Sequence, residues 1–149
     1  MTRILLADPN LQIRLLLKAL IEAHPDWHVC AEVADGQDAL DKIAELKPDL
    51  VILDFSMPRL NGLQVAAQLA KTSPALPVIL CTIHSFPEMI TEANKVGIRN
   101  VVSKSEAVDR LIGVIEAVLK GHGATTGAAQ IELPGPKDTP GEKLPPETN

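Results

Sequence analysis

The stretch LVILDFSMPRLNG, residues 50–62, carries most of the information about the fold. Four apolar residues, Leu50–Leu53, lead directly to one carboxylate, Asp54, and the Asn61-Gly62 pair follows after a Met-Pro turn. An uninterrupted run of Val, Ile and Leu is typical of a strand covered on both faces, as in a parallel sheet. Proline and the Asn-Gly pair indicate a turn before the next element. The stretch therefore predicts a buried strand with a carboxylate just beyond its last residue.

The remainder of the chain up to about residue 120 repeats this plan. Apolar runs of the same kind lie at residues 4–7, 29–33, 77–81 and 98–102. Between the runs lie amphipathic patterns with helical spacing, most of them ended by proline or glycine. Their apolar positions are Ile13, Leu16, Leu17 and Leu20; Leu40, Ile43 and Ala44; Leu63, Ala66, Leu69 and Ala70; Phe86, Met89, Ile90 and Ala93; and Val108, Leu111, Ile112, Ile115 and Leu119. Five strands alternating with five helices predict an α/β fold with a doubly wound sheet.

Composition excludes several classes of protein. The chain has 149 residues, of which 46% are hydrophobic and 22% charged, as expected for one globular domain with its own core. A net charge of −5 argues against nucleic-acid binding. No apolar run reaches membrane-spanning length, and the N-terminus lacks the pattern of a secretory signal. We therefore expect a cytoplasmic protein that binds neither nucleic acid nor membrane.

The pattern ends after Lys120. Residues 121–149 contain five glycines and five prolines among 29 residues, with few large apolar side chains. Such a segment buries too little surface to offset its ordering entropy. We predict one domain over residues 1–120 and a disordered tail over residues 121–149. The tail is either a spacer or a peptide ligand, because LPGP and KLPP suit the polyproline II conformation.

Polar side chains follow four of the predicted strands. Asp8 follows the first, Asp54 the third, Thr82 the fourth and Lys104 the fifth. In an open parallel sheet, ligands bind beyond the carboxyl ends of the strands. A carboxylate can attack phosphorus, a cation and a lysine can neutralise the phosphoryl charge, and a hydroxyl can donate to it. Each residue alone is also an ordinary strand terminus, but together they predict a phosphoryl-transfer site with Asp54 as the nucleophile.

The stretch at residues 50–62 resembles the phosphoacceptor region of receiver domains of two-component response regulators. The residues that match the family pattern are Asp54, Met57-Pro58, Asn61-Gly62, Thr82 and Lys104. The resemblance covers residues 3–120, and the run VVSKSEAVDRLIGVIEAVLKG is most similar to receivers that precede a helix-turn-helix output domain. No such domain follows in this sequence, so we expect a single-domain regulator.

The resemblance implies a flavodoxin-like sheet of strand order 2-1-3-4-5. It implies that Asp54 receives a phosphoryl group from a histidine kinase or a histidine phosphotransfer protein, and that a downstream protein reads the result. It also implies a Mg²⁺ ion held by Asp8, Asp54 and the backbone carbonyl of Ser56, with Thr82 and Lys104 on the phosphoryl group. No enzymatic activity is expected beyond the domain's own phosphorylation and dephosphorylation.

Three residues depart from the family pattern. Pro9 stands where the family usually has a second acidic residue that ligates Mg²⁺, and its side chain cannot bind a cation, so weaker metal binding is expected. Ile83 stands where a small residue is common, and its bulk is expected to narrow access to the phosphoryl group. Val101 stands where an aromatic switch residue is common. With two phenylalanines and no tyrosine, the chain has no obvious replacement for it.

Alternative functions remain open at this point. The chain is either a phosphorylatable receiver or an atypical receiver that binds partners independently of phosphorylation, which Pro9 favours. A flavin carrier or a small enzyme on the same fold is the third possibility. The segment ADPNLQI, residues 7–13, disfavours it, because it has no Ser/Thr/Gly-rich phosphate loop, and Asn10 replaces the acid of an aspartate-nucleophile phosphatase. The sequence gives no expectation for the signal, the downstream partner or the oligomeric state.

Overall fold

The computed structural model describes residues 1–83 and 85–121. A parallel sheet forms its centre, with the strand order β2-β1-β3-β4-β5. The strands are β1 (Thr2–Ala7), β2 (Trp27–Val33), β3 (Leu50–Leu53), β4 (Val78–Thr82) and β5 (Asn100–Ser103). The predicted doubly wound order is therefore confirmed. The strand limits differ by up to two residues from those read from the apolar runs.

A helix follows each strand. The helices are α1 (Leu11–Glu22), α2 (Gly36–Leu46), α3 (Gly62–Thr72), α4 (Pro87–Lys95) and α5 (Ala107–Leu119), and a single 3₁₀ turn (Lys104–Glu106) precedes α5. Polar caps begin the first three helices: the side chains of Asn10, Asp35 and Asn61 each accept a backbone N–H three residues on. Such caps satisfy otherwise unpaired amides at the helix start. They place the start of each helix next to the end of the preceding strand.

The core consists of two layers, one on each face of the sheet. Alternate residues of one strand belong to different layers: Leu50 and Ile52 lie in the layer under α1 and α5, whereas Val51 and Leu53 lie in the layer under α2, α3 and α4. All four of these side chains are fully buried. This two-sided burial explains why β3 is apolar throughout, as the sequence predicted.

Six of the predicted apolar helix positions are instead exposed, among them Ala44 and Ala70. Leu16 is 46% exposed, Phe86 44%, Val108 60% and Leu119 36%. In α1 the side chains that face the sheet are Leu17 and Ile21, which are four residues apart. Phe86 precedes α4 as its N-cap. Helix α5 buries Ala107 and Val118 near its two ends, and Val108 and Leu119, one residue further on and about 100° around the helix, are turned away from the core.

The predicted tail, residues 121–149, lies outside the described residues apart from Gly121. Helix α5 ends at Leu119, close to the predicted boundary at residue 120. Among the described residues, no helix has both the length and the apolar character needed to cross a membrane.

Candidate functional site

The four predicted edge residues lie at the carboxyl ends of their strands. Asp8 follows β1, Asp54 follows β3, Thr82 is the last residue of β4, and Lys104 follows β5. The ammonium Nζ of Lys104 lies 2.6 Å from Oδ2 of Asp8 and 3.2 Å from Oδ2 of Asp54. Thr82 is 4% exposed and pairs in register with Ser103, immediately before Lys104. The fold thus joins two buried carboxylates through one partly buried ammonium, which the sequence did not reveal.

Backbone and side-chain contacts hold Asp8 in place. Its Oδ1 accepts the N–H of Asn10 at 2.8 Å, and its carbonyl oxygen accepts Nη1 of Arg14 at 2.8 Å. Arg14 also pairs with Glu32 at 3.3 Å, so the guanidinium bridges the end of β1 and strand β2. The other carboxylate oxygen, Oδ2, is buried and lies 2.6 Å from Nζ of Lys104, which pairs with its charge.

Asp54 is held by the chain on both sides of it. Its N–H donates to the carbonyl oxygen of Ala7 at 2.9 Å. Its own carbonyl oxygen lies so close to Gly62 that only a glycine fits at position 62. A Cβ atom at Gly62 would lie 2.5 Å from that oxygen and 2.7 Å from the side chain of Leu80. The N–H of Gly62 donates to the carbonyl of Phe55 at 2.8 Å, which closes the loop. The Asn-Gly pair of the sequence therefore serves as a helix cap and a close backbone contact.

The loop after Asp54 is also attached to helix α2. Arg59 has a left-handed backbone, with φ of 69°, and its Nη2 donates to both carboxylate oxygens of Asp35 at 3.0 and 3.1 Å. The same nitrogen donates to Oδ1 of Asp38 at 3.0 Å. Sequence reasoning missed this cluster because Asp35 and Arg59 lie 24 residues apart and no local pattern links them.

Burial and charge act against each other at Asp54 and Lys104. Burial raises the pKa of Asp54, the Lys104 charge lowers it, and the Asp8 charge raises it, so the net shift is upward. The N–H of Ser56 donates to this carboxylate and partly offsets the rise. Burial disfavours the Lys104 ammonium, but its hydrogen bond to Asp8 and the charges of both carboxylates outweigh this, so its pKa is raised. Lys104 therefore stays protonated near neutral pH.

The three residues that depart from the family pattern, Pro9, Ile83 and Val101, lie in different environments around the site. Pro9 is exposed between β1 and α1, and the neighbouring Asn10 uses its side-chain oxygen to accept the N–H of Ile13 at 3.0 Å. That oxygen is therefore engaged as the cap of α1. Ile83 is 63% exposed just beyond β4, whereas Val101 is buried within β5.

The described residues contain no group of three or more His, Cys, Asp or Glu side chains that could hold a metal ion. The site does supply two carboxylates, and Mg²⁺ commonly binds through one or two carboxylates while keeping several waters. Oδ2 of Asp8 is a buried carboxylate oxygen that already contacts one cation, the Lys104 ammonium, and carboxylate oxygens are ligands that Mg²⁺ uses. The residues fit a Mg²⁺ site that has one carboxylate fewer than two adjacent acids would give.

The sheet has the doubly wound strand order of a class of small α/β signalling domains. Its carboxyl edge carries the acidic residues, the hydroxyl and the lysine described above. The family model described as the response regulator receiver domain matches residues 4–116. The chain belongs to this family, as the motifs at residues 50–62 indicated.

Individual proteins agree with this assignment. The chemotaxis protein CheY of Listeria monocytogenes is 32% identical over 120 residues, covering 80% of this chain and 100% of that protein. The chemotaxis protein CheY of Thermotoga maritima is 30% identical over 118 residues, covering 79% and 98%. A LuxR-family two-component response regulator from an Aurantimonas species has a similar structure, with a TM-score of 0.80 and 29% identity over 88% of this chain and 96% of that one.

Membership defines the general chemistry. Receiver domains belong to two-component systems, are typically phosphorylated on an aspartate, and typically bind Mg²⁺ at an acidic pocket. They interact with histidine kinases and phosphotransfer proteins, and they are generally signalling modules without enzymatic activity of their own. Some relatives are named as protein-glutamate methylesterases, but these extend well beyond the part that this chain matches.

Proposed function

We propose that this chain is a single-domain receiver that accepts a phosphoryl group on Asp54 from a phosphohistidine and signals through a partner-binding face. The observation that carries the proposal is the position of Asp54. It follows β3 at the carboxyl edge of the sheet, and its Oδ2 lies 3.2 Å from the partly buried ammonium of Lys104. The match over the whole length of the Listeria chemotaxis protein supports a receiver that acts without a fused output domain.

In the proposed transfer, a carboxylate oxygen of Asp54 attacks the phosphorus of a phosphohistidine. The P–O bond forms as the P–N bond breaks, and the histidine nitrogen leaves and takes up a proton. Lys104 lies ready to bind a phosphoryl oxygen because its Nζ already contacts Asp54. Thr82, buried at the end of β4, supplies a hydroxyl for a second oxygen.

A bound Mg²⁺ would supply further charge neutralisation during the transfer. The residues that would hold it are Asp8, Asp54 and the backbone carbonyl of Ser56. Asp8 is oriented for this by Arg14 and by the N–H of Asn10. Because Pro9 adds no ligand, we expect the ion to bind more weakly than in receivers with two adjacent acids.

The test is the intact mass of the protein after incubation with a small acyl phosphate and Mg²⁺. We expect wild type to gain one phosphoryl group and Asp54→Asn to gain none. Asp109→Asn is the matched control, because it also removes one carboxylate but lies exposed in α5 without an ion pair to the site, and it should be labelled like wild type. A label that persists in Asp54→Asn would refute the proposed phosphoacceptor.

A phosphorylation-independent interaction module is the second candidate. Two observations favour it: Lys104 already pairs with both carboxylates, and Pro9 stands where the family has a metal ligand. This candidate predicts no labelling of wild type at millimolar Mg²⁺. It also predicts that Asp54→Asn binds the downstream partner as wild type does, whereas the phosphoacceptor function predicts that binding changes upon labelling.

A further inference from the structure

The only two phenylalanines of the sequence contact each other at the edge of the sheet that carries Asp54. Phe55 directly follows Asp54, and Phe86 is the N-cap of α4. Their ring centroids lie 6.5 Å apart and the ring planes are perpendicular, an edge-to-face arrangement that aromatic pairs prefer. The contact therefore joins the loop after β3 to the loop after β4.

The Phe55 side of this contact is firmly held. The carbonyl of Phe55 accepts the N–H of Gly62, at the start of α3, at 2.8 Å. Further along the loop, Arg59 binds both oxygens of Asp35, and the carbonyl of Pro58 accepts the N–H of Gly36 at 3.2 Å. The loop is thus attached to α2 and to α3, so a change at Asp54 meets resistance on those two sides.

The Phe86 side is held more weakly. Phe86 is 44% exposed, and unlike the caps of α1, α2 and α3 its side chain accepts no hydrogen bond from the helix. Helix α4 is the shortest of the five described helices, with nine residues, and buries only Met89 and Ala93. An element with few buried contacts moves at the lowest cost in free energy.

We propose that the Phe55–Phe86 contact couples the chemical state of Asp54 to the position of α4. A group added to Asp54 displaces the adjacent Phe55, and because the rest of its loop is fixed to α2 and α3, the displacement is passed to Phe86 and the first turn of α4. The pair thereby supplies the aromatic link that Val101 does not provide within β5. The inference rests on the proposed function only where the added group is a phosphoryl group.

The experiment compares backbone amide chemical shifts of residues 91–95 in α4 before and after a change at Asp54. Two changes are used: acyl phosphate with Mg²⁺, and the substitution Asp54→Glu, which lengthens the side chain without needing phosphorylation. Each is measured in wild type, Phe86→Leu and Phe55→Leu. The control is Met89→Leu, a volume-conserving change on the same helix that leaves the aromatic pair intact.

In wild type and in Met89→Leu, both changes at Asp54 should shift the amides of residues 91–95. In Phe86→Leu and Phe55→Leu, we expect these shifts to fall at least about twofold, while the extent of labelling is retained. Each protein is compared with its own unmodified form, and these amides lie about 7 Å or more along the helix from Phe86, so displacement of the ring alone changes their shifts little. Circular dichroism establishes that every variant is folded, and Phe86→Met replaces Phe86→Leu if the latter is not.

Undiminished shifts in both leucine variants would overturn the coupling, as would an α4 that responds to neither change in wild type. A third outcome is that the wild type never becomes labelled, yet Asp54→Glu shifts the α4 amides when both phenylalanines are present and not in the leucine variants. This outcome would confirm the coupling and refute the phosphoacceptor function. The two proposals therefore fail in distinguishable ways.

Discussion

The pKa values of the carboxyl groups of Asp35 and Asp54 shift in opposite directions from the ordinary value of 3.8. Asp35 caps α2, and the N–H of Asp38, with help from Arg59, stabilises its charged form and lowers its pKa. Burial and the charge of Asp8 raise the pKa of Asp54 despite the nearby Lys104. The same residue type therefore stabilises the fold at one site and costs stability at the other.

The pH dependence of unfolding tests these signs. The contribution of ionised Asp35 to the stability of the fold is fully present above pH 3.8 and is lost as the pH falls through the lowered pKa of the folded state. For Asp54, whose folded pKa is raised, stability falls as the pH rises from 3.8 to that pKa and then stays constant. At neutral pH we expect Asp35→Asn to lower the denaturation midpoint and Asp54→Asn to raise it. Urea titrations at several pH values measure both, and equal signs for the two variants would contradict this account.

Pro9 leads to a prediction about metal affinity. An added carboxylate attracts a divalent cation, but desolvation and lost water ligands consume much of the gain, leaving roughly 1–3 kcal/mol. We expect Pro9→Asp to bind Mg²⁺ about tenfold to a hundredfold more tightly and to accelerate labelling of Asp54. Magnesium titrations compare it with wild type, and Pro9→Ala controls for loss of the proline ring. Equal affinities in Pro9→Asp and Pro9→Ala would show that position 9 does not reach the ion.

At the level of elements, one glycine determines how α2 packs against the loop after Asp54. A Cβ atom at Gly36 would overlap the carbonyl oxygen of Leu60, whereas one at Gly113 in α5 would meet no atom within 4 Å. We expect Gly36→Ala to destabilise the fold by about 1–3 kcal/mol through overpacking. Gly113→Ala should stabilise it by about 0.5–1 kcal/mol because alanine favours a helix. Thermal or urea unfolding compares the two, and a neutral Gly36→Ala would show that the loop yields easily.

The limits of sequence reasoning also appear at this scale. The strands were predictable because burial on both faces makes the central ones almost entirely apolar, and β3 has the predicted limits. Helix faces were less predictable, since an apolar residue beside the buried face, such as Val108 next to the buried Ala107, satisfies the helical period without reaching the core. The polar edge residues could be placed from strand order alone. Their pairing through Lys104 could not, because it depends on where three separate strands bring their side chains.

On the scale of the whole molecule, both core layers are built from residues 4–118. The sequence beyond Gly121 has no periodic apolar pattern that would extend either layer. We expect deletion of residues 122–149 to change the free energy of unfolding by less than about 0.5 kcal/mol, as for changes outside the core. Urea unfolding of the full and truncated chains measures this. A clear loss of stability in the truncated chain would show that the tail packs on the domain.

The most direct measurement of the central claim is chemical trapping of the phosphorylated residue. The protein is incubated with a small acyl phosphate and Mg²⁺. Borohydride then reduces any aspartyl phosphate on the protein to an alcohol, which converts the phosphorylated aspartate to homoserine. Peptide mass spectrometry locates the product, with Asp54→Asn as the control. The account predicts homoserine at position 54 in wild type and none in the variant. Homoserine at position 8 or elsewhere, with Asp54 unchanged, would contradict it.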